Sequence, residues 1–261
     1  MNIYNNTFVI FTVFLASNTF AQTSLPDSLK LDLKNNSFGT RYLLTSNGYG
    51  LSLGDISYEN HYIFGNVVNF GVTNYFSLGV GLSTYGFIFK GFPNTIMVSP
   101  KFSIPLIKEK INLAIGASVV TDIKKFTTRE IRAYNLFYNA ALTYGSPSNN
   151  ISIGYIYNNQ IIQNANTNYS SKDLPNLITL SGIKRITNQS YLLSENFIGK
   201  RKTSSLNYDN LFSTYLGHRI ALKHIGYNYG VLFTYKNERS NGFYLVSTNI
   251  TPYVGLIIPL K

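Results

Sequence analysis

The stretch Ser77-Leu78-Gly79-Val80-Gly81-Leu82-Ser83 places an apolar residue at every second position, with only glycine and serine at the others. Successive side chains of a β-strand point to opposite faces, whereas a helix brings together residues three and four apart. The stretch therefore predicts a strand with one apolar face and one small, polar face. We expect Leu78, Val80 and Leu82 to point one way and the two glycines to point the other way.

The same alternation recurs along the chain. It is found at 112–119, 136–144, 150–157, 227–235 and 254–260. On this pattern we expect Leu113, Ile115, Val254, Leu256 and Ile258 to share the apolar face. We expect Gly116, Gly154 and Gly182 to lie on the opposite face with Gly79 and Gly81.

Connections between the predicted strands alternate in length. Short, turn-like ones lie near 73–74, 107–110, 146–150, 187–189 and 223–224, and longer polar ones near 84–94, 121–134, 158–176, 198–209 and 236–242. Outer-membrane barrels have short turns at one end and longer loops at the other. With strands at 40–46 and 58–70 and five further pairs, the sequence predicts an all-β, antiparallel up-and-down transmembrane barrel of about 12 strands, within about 10 to 14.

Composition favours the same class. Charged residues make up 13% of the 261 residues, and the chain has 21 Tyr and 18 Phe, whereas an ordinary soluble domain has about 25% charged residues. After residue 21 no apolar run approaches the roughly 20 residues of a membrane helix. A barrel with alternating lipid-facing and lumen-facing residues has this composition.

The N-terminus has the pattern of a secretory signal peptide. Phe8 to Ala16 is a short apolar run, followed by Ser17-Asn18-Thr19-Phe20-Ala21, although no Lys or Arg precedes the run. We expect a signal peptide at 1–21, a periplasmic N-terminal segment at 22–38 and the barrel domain at 39–261. The alternative is a retained N-terminal segment.

Three stretches carry a resemblance to a known group. They are Gly39-Thr40-Arg41-Tyr42, the run from Asn69 to Gly81, and Leu193-Ser194-Glu195-Asn196. Together they resemble uncharacterised outer-membrane barrel proteins of the Bacteroidetes kind. The resemblance implies a barrel in the bacterial outer membrane and brings no catalytic residues. One departure is the ending Ile258-Pro259-Leu260-Lys261, where many such barrels have an aromatic residue that the barrel assembly machinery recognises.

Sites for catalysis or metals are not evident. The histidines are His61, His218 and His224, no serine lies in a Gly-x-Ser-x-Gly elbow, and the chain has no cysteine. A Ser–His pair assembled across strands stays open. We expect no enzyme activity, no cofactor and no metal site.

Charge suggests lipid rather than nucleic acid as the partner. The net charge is +11, and its cations are scattered; we expect no nucleic-acid partner for an exported protein. Two basic groups fall in predicted outer loops: Lys124, Lys125, Arg129 and Arg132, and Lys200, Arg201 and Lys202. They are candidates for binding lipopolysaccharide phosphates or other anions, or they keep the loops soluble. Lys184, Arg185 and Arg219 fall in predicted strands and should face the lumen or lie near an interface.

Three functions remain open from the sequence. The first is an outer-membrane passage channel for small solutes, with a possible preference for anions. The second is a closed structural or surface-interaction barrel, and the third is a soluble periplasmic lipid-binding β-protein. The apolar face of the strands disfavours the third, because it would leave a wide apolar band in water. Substrate and oligomeric state are not indicated.

Overall fold

A computed structural model describes most of the chain after residue 39. The described residues are 40–42, 45–62, 65–84, 94–108, 110–122, 131–164, 167–171, 175–202, 208–222, 224–240 and 243–260. They belong to one compact unit, Ser37–Lys261. The predicted signal peptide at 1–21 and the predicted segment at 22–38 lie outside them. Among the described residues, no helix is both long enough and apolar enough to cross a membrane.

Thirteen strands follow one another along this unit. They are β1 (Ile56–His61), β2 (Gly65–Gly71), β3 (Phe76–Ser83), β4 (Thr95–Ile107), β5 (Ile111–Asp122), β6 (Ile131–Ser146), β7 (Asn149–Asn164), β8 (Thr167–Ser171), β9 (Asn176–Arg185), β10 (Ser190–Lys202), β11 (Tyr208–Ala221), β12 (Gly226–Ser240) and β13 (Phe243–Leu260).

The strands close into an antiparallel barrel. Consecutive strands pair with each other except β8 and β9, β1 pairs with β13, and β7 pairs with β9 as well as with β6. β8 is a short addition that pairs only with β7. The prediction of a closed up-and-down barrel of 12 strands is confirmed, with β8 lying outside the count.

The beginning of the barrel differs from the prediction. The described residues of 40–46 form no wall strand, and the predicted strand at 58–70 contains two strands, β1 and β2. The two errors cancel in the strand count. Between β1 and β2 the sequence reads Tyr62-Ile63-Phe64, which carries none of the usual turn signals.

Connections sort the barrel into two ends. Short turns at 72–75, 108–110, 147–148, 186–189 and 222–225 share one end, here called the turn end, with the start of β1 and the finish of β13. The opposite end is here called the loop end. There, β6 begins at Ile131, β8 occupies part of the predicted loop 158–176, β10 runs to Lys202 and β12 runs to Ser240, so four predicted loops are partly strand.

Alternation separates two faces of the wall. Val80, Ile115 and Val254 on the outer face are 43%, 49% and 50% exposed. The side chains buried on the inner face are largely polar, among them Asn69, Ser103, Asn112, Thr143, Ser152 and Ser181. The predicted apolar face is therefore the outer face of the barrel.

Candidate functional site

A segment that precedes the first strand lies inside the barrel. Residues 40–55, of which all but 43 and 44 are described, bond to the inner face of the wall and lead to β1 at the turn end. Arg41 and Ser46 form an antiparallel bridge, and the Tyr42 amide donates to the Thr45 carbonyl at 3.2 Å. The segment therefore makes a tight turn within the lumen.

Side chains of this turn bond to β7 and β9. The Tyr42 hydroxyl lies 2.5 Å from Asn150 Oδ1 and 2.7 Å from Ser152 Oγ, and the Thr45 hydroxyl lies 3.0 Å from Ser181 Oγ. Burial raises the pKa of Tyr42 above its ordinary value, so the phenol keeps its proton and donates to Asn150.

The contact with Ser181 also decides the faces of β9. Ser181 points into the lumen, so its neighbour Gly182 belongs to the outer face. The expectation that Gly182 lies on the inner face is wrong, because successive residues of a strand point to opposite sides.

The following residues run along β4, β5 and β6. The Gly48 amide donates to Thr143 Oγ1 at 2.7 Å, and the Tyr49 hydroxyl donates to the Gly145 carbonyl. A Cβ at Gly48 would lie 2.6 Å from both the Cβ and the carbonyl oxygen of Asn112. Glycine is required at this position because the segment's backbone lies directly against the wall.

Buried charges hold the turn on the opposite side. Arg41 Nη1 lies 3.1 Å from Glu59 Oε2, and Arg41 Nη2 donates to Asn69 Oδ1 at 3.2 Å. His61 Nε2 lies 3.3 Å from the same carboxylate oxygen. Asn69 also donates to Glu59 Oε1 at 2.9 Å. Because the Glu59 side chain is only 2% exposed, its charge depends on these partners.

Two wall cations bind the segment through its backbone. Lys101 Nζ donates to the carbonyls of Thr40 at 2.8 Å and Tyr49 at 2.5 Å. Arg219 donates to the Tyr42 carbonyl at 2.9 Å and to Asn228 Oδ1 at 2.7 Å. In the opposite sense, the Thr45 amide donates to Glu195 Oε2 at 3.1 Å. Arg219 faces the lumen, as the sequence predicted for one of its strand cations.

An apolar cluster receives one aromatic ring of the segment. Tyr42 packs in a buried group with Ile183, Tyr191, Leu193, Tyr215, Ala221, Tyr253 and Ile257. Tyr62 packs edge-on against Tyr253 at a ring distance of 4.6 Å, and the Tyr253 hydroxyl lies 2.7 Å from His61 Nδ1. The Tyr42 ring is therefore the main apolar anchor of the turn.

Burial of the inner face changes along the barrel. On β5 and β6, the inner residues Ala114 and Thr143 near the turn end are buried, whereas Ser118 and Asn139 further along are part-exposed; on β7, Ser152 and Asn158 are both buried. The side chains of Arg41 and His61 are 24% and 21% exposed. The segment thus fills the lumen at the turn end, and the inner face of β5 and β6 is partly exposed further along the barrel.

The structure describes only part of the two basic groups proposed from the sequence. Lys124, Lys125 and Arg129 lie outside the described residues. Arg132 belongs to β6 and Lys200, Arg201 and Lys202 to β10, so placing these four in loops is wrong. The backbone pairing of β6 with β7 and of β10 with β11 extends through these positions, although their polar residues suggested a loop. Of the four, only the Lys200 side chain is described, and it is exposed.

The histidines occupy three different surroundings. His61 belongs to the lumen network, and His224 is exposed in a turn. His218 Nε2 lies 2.5 Å from Ser190 Oγ on the outer face, so a Ser–His pair is assembled across strands. A histidine that acts as the base for a serine nucleophile needs a partner at its other ring nitrogen to orient the ring. In the described part of the chain, His218 Nδ1 has no such hydrogen-bond partner. The expectation of no enzyme activity stays a prediction.

Metal binding has no support in the described part of the chain. No three His, Asp or Glu side chains come together there as a possible ligand set, and the sequence has no cysteine. The carboxylates of the lumen, Glu59 and Glu195, are instead engaged by cations and backbone amides.

The lumen network was missed by the sequence analysis. Its wall residues come from strands far apart in the chain, and alternation alone does not show which inner positions meet. One available signal was the run Thr45-Ser46-Asn47-Gly48-Tyr49-Gly50, which has no period-two alternation of apolar residues. Two of the stretches on which the resemblance rests, 39–42 and 193–196, come close together in the lumen. Tyr42 accepts a hydrogen bond from Arg219, and Thr45, three residues later, donates to Glu195.

The chain matches no protein-family model, and no curated protein is significantly similar to it.

Proposed function

We propose that this chain is an outer-membrane β-barrel whose lumen is closed at the turn end by its own residues 40–55. In this closed form it acts as a structural or surface-interaction barrel. We place it with the outer-membrane barrels of the Bacteroidetes kind on the three stretches quoted above. Its expected surroundings are outer-membrane lipid and lipopolysaccharide, reached after export and insertion by the barrel assembly machinery.

The distribution of polar and apolar side chains supports a lipid environment. Apolar residues are exposed on the outer face, including Val98, Phe102, Ile153 and Phe233, while Glu59, Lys101, Glu195 and Arg219 are buried inside. A protein in water would expose a broad apolar surface with this arrangement. In a bilayer, the same surface is the expected one for a barrel.

The interior argues against the soluble lipid-binding alternative. A lumen that holds a lipid chain needs an apolar lining. Here the buried lining carries Asn150, Ser152, Ser181 and Asn228 beside the charged residues. An acyl chain in this lumen would leave those groups without water or polar partners, at a cost of about 1–3 kcal/mol each.

The position of the segment in the lumen is the main observation that favours a closed barrel over an open channel. The turn at Arg41–Ser46 is bonded to β7, β9, β10 and β11, and the residues after it to β4 and β6. These contacts come from most of the circumference of the barrel. A continuous aqueous path is therefore not expected while the segment stays in place.

Gel mobility and fractionation test the membrane barrel. We expect the purified protein to migrate differently before and after boiling, because a closed barrel resists detergent, and to be recovered with outer membranes. In planar bilayers, we expect the wild-type protein to be closed most of the time. Recovery in the soluble periplasm without a mobility shift would overturn the proposal.

A further inference from the structure

We propose that residues 40–51 form a displaceable plug, and that their withdrawal converts the closed barrel into a water-filled passage for small polar solutes. The inference rests on the membrane barrel proposed above. It adds a conducting state and names the part of the chain that controls it.

The barrel does not require the segment for its closure. The wall is completed by β1 and β13, which pair from Ile56 with Leu260 to His61 with Gly255. The described part of the segment contributes no strand to this sheet, and its one bridge joins Arg41 to Ser46 within the segment itself. Withdrawal therefore breaks no hydrogen bond between wall strands.

Outside the apolar cluster at Tyr42, the described wall beneath the segment is largely polar. Thr143, Asn150, Ser152 and Ser181 are buried there, and each forms a hydrogen bond with a residue of the segment. Ser103 Oγ, beside Gly50, is buried without a hydrogen-bond partner among the described residues. Permanently buried positions are usually better stabilised by apolar residues than by such groups. A second state in which water reaches the wall accounts for their polarity.

Contacts that hold the segment are mostly of a kind that water replaces. They are hydrogen bonds and ion pairs, and each hydrogen bond contributes about 0.5–1.5 kcal/mol net when water is the alternative partner. Among the described residues of the segment, the apolar anchors are Tyr42 in its cluster and Leu51, which is also buried. Together these bonds keep the segment in place. Because water can replace each of them, the segment can also be released.

A pivot for this release lies at the mouth of the barrel. Gly54 has a φ of 82°, and a Cβ there would meet no atom within 4 Å. Its amide donates to the Gly71 carbonyl at 2.9 Å, and the Gly71 amide donates to the Asp55 carbonyl at 2.8 Å. These bonds fix the end of the segment to β2, so the residues before it can swing as one arm.

The charges left on the wall indicate the solute class. Without Arg41, the described wall beneath the segment carries Lys101 and Arg219 against Glu59 and Glu195, so its charges balance. A balanced lining favours neither sign of ion strongly. We therefore expect passage of small neutral or zwitterionic polar solutes, with weak ion selectivity and not the anion preference considered from the sequence.

Conductance in planar bilayers tests the plug with two kinds of variant. Gly48→Val places a side chain against Asn112 and should push the segment off the wall while leaving the strands intact. The pair Thr45→Cys and Ser181→Cys replaces two hydroxyls 3.0 Å apart and should form a disulfide that fixes the segment. The matched control is Ser99→Cys with Ser118→Cys, whose hydroxyls lie 2.7 Å apart within the wall.

We expect Gly48→Val to raise the open fraction about tenfold, the change that follows from losing one or two hydrogen bonds. Oxidation of the Thr45–Ser181 cysteine pair should abolish openings, reduction should restore them, and the control pair should not respond. The plug is contradicted if Gly48→Val stays closed, or if the locked pair conducts equally in both redox states, while the boiling-dependent mobility shift is retained. Loss of that shift in the wild-type protein would instead contradict the membrane barrel.

Discussion

Ile115 and Ser118 lie on the same strand, and their side chains meet different surroundings. Ile115 is 49% exposed on the outer face, whereas Ser118 faces the lumen and lies 2.7 Å from Ser99 Oγ. In the proposed setting, Ile115 contacts lipid and Ser118 contacts water in the half of the lumen toward the loop end. The chemistry of a substitution should therefore depend on its face more than on its place in the sequence.

We expect Ile115→Arg to impair membrane assembly and Ser118→Arg to be tolerated. A charge facing lipid at mid-membrane costs about 2–4 kcal/mol, whereas the same charge in the lumen stays hydrated. The measurement is the fraction of each variant recovered in the outer membrane with the wild-type mobility shift. Equal recovery of the two variants would show that the face assignment is wrong.

Single residues were predicted well where alternation decides their position. Val80, Ile115 and Val254 lie outside and Gly79 and Gly81 inside, as their period-two pattern indicated. Glu59 and Glu195 could not be assigned a role from the sequence, because their partners Arg41 and Thr45 are distant in the chain. Only the closed barrel brings these groups together.

At the scale of strands and turns, the hairpin of β6 and β7 requires a glycine at position 145. The connection between β6 and β7 is short, and Gly145 there has a φ of 118°. A Cβ at this position would lie 2.2 Å from the Asn149 carbonyl oxygen. The Gly145 carbonyl also accepts from the Tyr49 hydroxyl, so the turn contacts the segment.

We expect Gly145→Ala to destabilise the barrel and Gly116→Ala to have a smaller effect. An alanine in left-handed backbone costs about 1–2 kcal/mol, and at Gly145 it also meets a fixed carbonyl. At Gly116 the nearest atom is Asn139 Oδ1 at 2.8 Å, on a side chain that can move. The measurement is the temperature at which each variant loses its compact form on gels; a lower temperature for Gly116→Ala would contradict the account.

Strand boundaries show where sequence patterns are insufficient. The predicted strand 58–70 has an apolar middle, and the sequence contains no glycine or asparagine at Tyr62-Ile63-Phe64 to indicate a turn. Tyr62 nevertheless adopts a φ of 52° and donates its amide to the Val254 carbonyl at 3.0 Å. Its ring packs against Tyr253, so tertiary contacts offset a backbone conformation that a tyrosine seldom adopts.

Taken as a whole, the barrel unit has a largely polar interior, an apolar exterior and a lumen filled at one end. The sequence predicted the first two features, because a strand with two unlike faces must place one of them outside when the sheet closes. It did not predict the filled lumen, because residues 40–51 have no period that identifies a segment enclosed by a barrel. The closure follows from contacts spread over β4 to β11.

Thiol labelling compares three surfaces of the barrel: the open part of the lumen, the outer face, and the inner wall that the segment covers. The chain has no cysteine, so Ile115→Cys, Ser118→Cys and Ser152→Cys each carry one thiol, and each variant is placed in a lipid nanodisc with a water-soluble maleimide. We expect fast labelling only for Ser118→Cys, because in the proposed bilayer setting Ile115 faces lipid, and Ser152 is covered by Tyr42. Fast labelling of Ile115→Cys would contradict the membrane-facing exterior, and fast labelling of Ser152→Cys would contradict the closed lumen.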